Sequence, residues 1–105
     1  MQERSTEYEL IFPAAYEGQW EEERIYKGWL TGVKIRFPTG ECYVLTFVDM
    51  HRLGQMVEDR AAEGCGYYAE PGLIIVSEVS RTHVDAAVRG LVKESFFDSL
   101  RPVES

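Results

Sequence analysis

The sequence predicts an α+β fold in which a mixed or antiparallel sheet of about four to five strands has two helices packed on one face. Apolar and polar residues alternate on both sides of Pro38-Thr39-Gly40, a pattern typical of a β-hairpin. Two later segments, residues 50–62 and 82–96, repeat apolar residues three and four positions apart, as amphipathic helices do. These patterns together indicate one sheet covered by helices.

The first predicted strand covers residues 7–12, where aromatic and aliphatic residues alternate with glutamates. Pro13 follows it and has no backbone N–H to donate to a sheet, so we expect an edge strand. Residues 14–28 show neither a helical nor a strand period, and the sequence predicts no conformation for them.

The hairpin has the most specific turn chemistry in the chain. Pro38 has the φ required at the second position of a type I turn, and Gly40 can adopt the left-handed conformation of the bulge that follows. Such a loop fixes the register and places Ile35 opposite Tyr43. The expected core face carries Val33, Ile35, Phe37, Tyr43, Leu45 and Phe47, and the opposite, less buried face carries Lys34, Arg36, Cys42, Val44 and Thr46.

The second half of the chain repeats the order of turn, strand, cap and helix. Asp49 is a suitable N-cap for a helix from about Met50 to Ala62, which Gly64 and Gly66 end. After it we predict a strand at residues 67–69, a turn at Pro71-Gly72, a buried central strand at residues 73–79, and a last helix capped by Ser80 or Thr82. The repetition is consistent with two ββα units, but we favour the interpretation that two common motifs occur in succession.

The composition indicates a single domain over residues 1–105, with frayed ends at about 1–6 and 101–105. A chain of 105 residues with 45% apolar residues can bury a core without disulfides, and we expect Cys42 and Cys65 to be free thiols. The net charge of −7 opposes binding to a nucleic acid backbone. The sequence shows no signal peptide and no apolar run near the roughly 20 residues of a membrane helix, so we expect a cytoplasmic protein that does not engage a membrane.

Known catalytic and cofactor motifs are missing from the sequence. There is no glycine-rich phosphate loop, paired-cysteine zinc pattern or serine elbow. We therefore predict no cofactor and no catalytic or metal-binding residues, and we favour a protein without enzymatic activity.

Two groups of residues are candidate binding sites. Both helices begin with cationic side chains, where the helix dipole favours anions, so their N-termini form a candidate anion site with His51, Arg52, Arg81 and His83. An aromatic residue beside charged ones is typical of a protein interface, which makes a second candidate of Trp20, Glu21, Glu22 and Glu23.

Three functions remain open at this point. The first is a small protein-interaction module that acts on a protein partner or as a homodimer, since a homodimer would cover the exposed sheet face. The second is a binder of a small anion or phosphometabolite at the two helix N-termini. The third is an acidic inhibitor or immunity-type protein that masks a basic partner.

Overall fold

A computed structural model describes residues 7–13 and 25–103. Four strands form one sheet in the order β1-β2-β3-β4. They are β1 (Glu9–Ile11), β2 (Trp29–Arg36), β3 (Cys42–Val48) and β4 (Leu73–Ile75). The first three strands are antiparallel neighbours, and β4 runs parallel to β3. The chain also forms two main helices, α1 (Met50–Ala62) and α2 (Arg81–Lys93), and a 3-10 turn at Phe96–Ser99. The predicted α+β class, with a mixed sheet of four strands and two helices, is confirmed.

The predicted hairpin register is confirmed. Ile35 pairs with Tyr43 and Val33 with Leu45. The amide of Phe37 donates to the carbonyl of Glu41 at 2.9 Å, and Gly40 has a φ of 98°. The predicted core face of the hairpin is buried at every position, because each of its side chains points into the space between the sheet and α2.

A β-bulge interrupts β2 before the hairpin. The register shifts between Leu30 and Val33, and Gly32 within the bulge has a φ of 81°. Leu30 remains in the core, whereas the hydroxyl of Thr31 lies 3.0 Å from that of Thr46 on the opposite face. The bulge thus adds a polar pair to the face that points away from the core.

The two helices contact different faces of the sheet, which differs from the expected placement of both on one face. Helix α2 buries Val84, Val88 and Val92 in the main core. Helix α1 has no buried residue, and its Arg52 and Met56 line a cleft with residues of the opposite face. The cause is the parallel pairing of β3 and β4, because the handedness of a crossover between parallel strands determines the face on which its helix lies.

The region after α1 is less regular than predicted. Residues 65–70 form no strand, so the second half has a single strand before its helix and does not form a ββα unit. Strand β4 spans three residues at the sheet edge instead of seven in its centre, although the amide of Val76 still donates to Val48 at 2.9 Å. Tyr68 and Glu70 instead hydrogen-bond to each other, a local alternative to strand pairing.

The edge of β3 that β4 leaves uncovered meets the end of the chain. The amide of Val103 donates to the carbonyl of Cys42 at 2.7 Å in an isolated antiparallel bridge. Within residues 7–13 and 25–103, no helix has the length and apolar character needed to span a membrane.

Candidate functional site

The start of β2 and the start of α1 are joined through their backbones. The amide of Asp49 donates to the carbonyl of Gly28 at 2.9 Å. The Asp49 carboxylate accepts from the amide of Arg52 at 2.8 Å, which confirms the predicted N-cap. Trp29 follows Gly28 directly, so this junction places its ring beside the first turn of α1.

A cleft that we call the outer cleft opens beside this junction, with a volume of about 500 Å³. The described residues that line it are Tyr26, Lys27, Trp29, His51, Arg52 and Gln55. Lysine and arginine carry permanent positive charge at neutral pH, and none of these lining residues carries a carboxylate. The described lining of the outer cleft is therefore cationic, on a chain whose net charge is −7.

Arg52 is the central side chain of the outer cleft. Its guanidinium carbon lies 5.9 Å from the centroid of the Trp29 ring, within cation–π range. Its Nε is buried and has no hydrogen-bond partner among the residues that the structure describes. A buried donor without a partner is costly.

Helix α1 adds a second polar group at the exposed rim of the outer cleft. Nε2 of Gln55 lies 3.3 Å from Nε2 of His51, one helical turn away. This hydrogen bond holds the two side chains together next to Arg52. The rim thus offers groups that can donate to a ligand oxygen.

A second cleft, the inner cleft, lies between α1 and the sheet face opposite the core and has a volume of about 190 Å³. It shares Trp29 and Arg52 with the outer cleft, so the two adjoin at these side chains. The remaining described lining residues are Thr31, Thr46, Val48, Met56, Tyr68 and Glu70. The inner cleft therefore combines an apolar wall with hydroxyl groups and one carboxylate.

Tyr68 is a hydrogen-bond donor in the inner cleft. Its hydroxyl donates to Oε1 of Glu70 at 2.8 Å, and this bond is the main reason why the pKa of Tyr68 is raised. Burial and the charge of Glu70 raise this pKa further, whereas Arg60 and Arg52 lower it. Tyr68 therefore stays protonated at neutral pH and positions the Glu70 carboxylate.

Arg60 lies near the Tyr68 ring. Its guanidinium carbon lies 6.0 Å from the ring centroid. Its Nε is buried and, like that of Arg52, lacks a hydrogen-bond partner in the described part of the chain.

The four cationic residues predicted to form one anion site lie in different surroundings. His51 and Arg52 line the outer cleft, whereas Arg81 lies over the ring of Phe12, with its guanidinium carbon 4.7 Å from the centroid, and lines a separate groove. Nδ1 of His83 lies 2.7 Å from the hydroxyl of Ser80, the α2 cap. Although β3 and β4 are parallel, α1 and α2 lie on opposite faces, and no cleft among the described residues contains both Arg52 and Arg81.

The second predicted surface, Trp20 with Glu21, Glu22 and Glu23, lies outside the described residues. The sequence analysis did not select Lys27, Trp29 or Gln55, which share the outer cleft with Arg52. Gly28, directly before Trp29, is a local sequence feature that could have indicated a close backbone approach there. No group of three His, Cys, Asp or Glu suited to a metal ion occurs within residues 7–13 and 25–103.

Comparison with known proteins identified no relative of this chain. No protein-family model, curated protein or solved structure matches this chain. The functional argument therefore depends on the geometry of the two clefts.

Proposed function

We propose that the protein binds a small anionic ligand, through a phosphate or carboxylate group, in the outer cleft. The observation that supports this most directly is the state of Arg52. Its guanidinium lies against Trp29, its buried Nε has no partner in the described part of the chain, and Lys27 and His51 line the same cleft. A phosphate or carboxylate supplies acceptor oxygens to which the Arg52 guanidinium can donate.

The position of the outer cleft strengthens its attraction for an anion. It lies at the first turn of α1, where the helix dipole favours negative charge, and the Asp49 carboxylate already caps the Arg52 amide there. Arg52 is partly buried, and a charge-assisted hydrogen bond is stronger where water is partly excluded. The Trp29 ring offers an apolar surface for the uncharged part of the ligand.

Isothermal titration calorimetry with inorganic phosphate tests this proposal. We expect saturable binding that Arg52→Gln weakens by about tenfold or more, since each 1.4 kcal/mol of lost interaction is a factor of about ten. Arg89→Gln is the matched control, because Arg89 is an exposed cation on α2 that pairs with Asp85. The control should leave the Kd within about twofold of the wild-type value, as expected of an exposed ion pair. An equal loss in both variants would mean that phosphate responds only to total charge, and would contradict the proposal.

The open edge of the sheet favours a second function, that of a protein-interaction module. Within residues 7–13 and 25–103, strand β4 pairs with β3 only, and its Ile75 is 50% exposed. Met50 and Tyr67 are also exposed large apolar residues. We propose that an extended segment of a second copy of the chain pairs with β4, because an open strand edge is a ready partner for another strand.

Sedimentation velocity over a range of protein concentrations tests the second function. The wild type should associate as its concentration rises, and Ile75→Lys should remain monomeric because an edge lysine opposes strand pairing. The exposed substitution Tyr26→Lys, in the outer cleft, is the control and should associate like the wild type. A wild-type protein that remains monomeric throughout would contradict self-association.

A further inference from the structure

The outer and inner clefts adjoin at Trp29 and Arg52, and this arrangement identifies a class of ligand. We propose that the ligand is an anionic polyol, such as a sugar phosphate or a sugar acid. Its anionic group lies in the outer cleft and its hydroxyl groups enter the inner cleft. The inference rests on the proposed anion binding and adds a specificity that the outer cleft alone does not provide.

The hydrogen-bonding groups of the inner cleft match hydroxyl groups. The hydroxyls of Thr31 and Thr46 are 3.0 Å apart, so one donates to the other and the accepting one retains a hydrogen to donate. Oε1 of Glu70 accepts from Tyr68, and the second oxygen of this carboxylate can accept from a ligand. A hydroxyl group is both a donor and an acceptor, so it can satisfy either kind of group.

The charges around the inner cleft favour a neutral hydroxyl over an ammonium group. Arg52 and Arg60 both lie close enough to Tyr68 to lower its pKa, and Glu70 is the one carboxylate among the described residues that line the inner cleft. Two guanidinium groups with one carboxylate leave a net positive environment, which repels an ammonium group. Arg52 lines both clefts, so its guanidinium can donate to an oxygen that links the anionic group to the polyol.

The shape of the inner cleft limits the length of the polyol. Its volume of about 190 Å³ is below the range of about 300–1,000 Å³ that is usual for complete ligand pockets, so it admits a short chain or a single small ring. Trp29, Val48 and Met56 form an apolar wall on which the C–H groups of a polyol can pack. A ligand with its anionic group outside this cleft and a short hydroxylated part inside it fits both volumes.

Calorimetric titration of the full chain compares four probes: inorganic phosphate, ribose 5-phosphate, ribonate and the neutral polyol ribitol. Ribose 5-phosphate should bind about tenfold or more tightly than inorganic phosphate, since hydrogen bonds to charged groups add to the anion contacts. The affinities of ribonate and ribose 5-phosphate, compared with each other, show whether the site prefers a carboxylate or a phosphate as the anionic group. Ribitol should bind most weakly, because it lacks the anionic group.

Two pairs of variants localise the preference to the inner cleft. Glu70→Gln should reduce the advantage of ribose 5-phosphate over phosphate to about threefold or less. Thr31→Val should also reduce the advantage, whereas Thr31→Ser, which keeps the hydroxyl, should preserve it. Amide NMR spectra of each variant confirm that it is folded.

The outcomes separate the two proposals. Equal affinities for phosphate and ribose 5-phosphate, both weakened by Arg52→Gln, would support the anion site and overturn the polyol specificity. A preference that survives both Glu70→Gln and Thr31→Val would also overturn it. If none of the four probes binds in a way that Arg52→Gln weakens, both the anion site and the polyol inference are overturned.

Discussion

The backbone of Gly28 lies so close to the Asp49 carboxylate that no residue with a side chain fits at position 28. An added Cβ on Gly28 would lie 2.6 Å from the carboxylate oxygens of Asp49. Gly28 also has a φ of 75°, a conformation that side chains rarely adopt. This contact connects the start of β2 to the N-cap of α1, and Trp29 and Arg52 both line the outer cleft beside it.

Gly28→Ala should therefore destabilise the protein. The added Cβ strains a positive φ and displaces the capping carboxylate, for which we expect a loss of about 1–3 kcal/mol in the free energy of unfolding. Urea denaturation measures this loss. Gly54→Ala is the matched control, because a Cβ at this exposed position of α1 meets no atom within 4 Å. Alanine is the better helix former, so the control should gain about 0.5–1 kcal/mol. An unchanged stability for Gly28→Ala would mean that the junction is not tightly packed.

Asp49→Asn should separate capping from charge. Asparagine caps a helix about as well as aspartate, so unfolding should change by less than about 1 kcal/mol. The substitution removes a negative charge next to the outer cleft, and phosphate should bind more tightly as a result. Urea denaturation gives the change in the free energy of unfolding, and calorimetric titration gives the change in affinity for phosphate. A weaker affinity for phosphate in this variant would contradict the electrostatic part of the account.

Tyr68 should ionise at a higher pH than an ordinary tyrosine. The hydrogen bond to Glu70 is the largest cause of the raised pKa. Glu70→Gln should therefore lower the pKa of Tyr68, because Arg60 and Arg52, which already lower it in the wild type, are then no longer opposed by the Glu70 charge. Because the pKa is raised in the folded state, the associated stability is present below the pKa of the unfolded chain and is lost as the pH rises through the folded value. The difference between the ultraviolet titration curves of the wild type and of Tyr68→Phe gives the titration of Tyr68 alone. If Glu70→Gln leaves the midpoint of this titration unchanged, the hydrogen bond to Glu70 is not the cause of the raised pKa.

The elements that the sequence predicts well are those determined by local chemistry. The turn at Pro38 and Gly40 sets the register of the hairpin, and the caps at Asp49 and Ser80 set the starts of the helices. Each of these features depends on residues within a few positions of one another, so the pattern in the chain was sufficient.

The arrangement of the site was not predictable in the same way. Lys27 and Trp29 belong to the cleft through the contact of Gly28 with Asp49, which is distant in sequence, and residues 14–28 have no period that would reveal it. Arg81 and His83 were grouped with Arg52 from helix polarity alone, which contains no information on the face that each helix occupies. The expectation of a basic protein partner, derived from the net charge of −7, stays a prediction.

Amide and indole chemical-shift mapping during a phosphate titration tests the central claim most directly. Binding in the outer cleft should produce saturable shifts of the Trp29 indole N–H and of the amides of residues 27–29 and 49–55. Arg52→Gln should remove these shifts and Arg89→Gln should preserve them. Shifts that concentrate at residues 81–85, or that rise linearly without saturation, would contradict anion binding at Arg52.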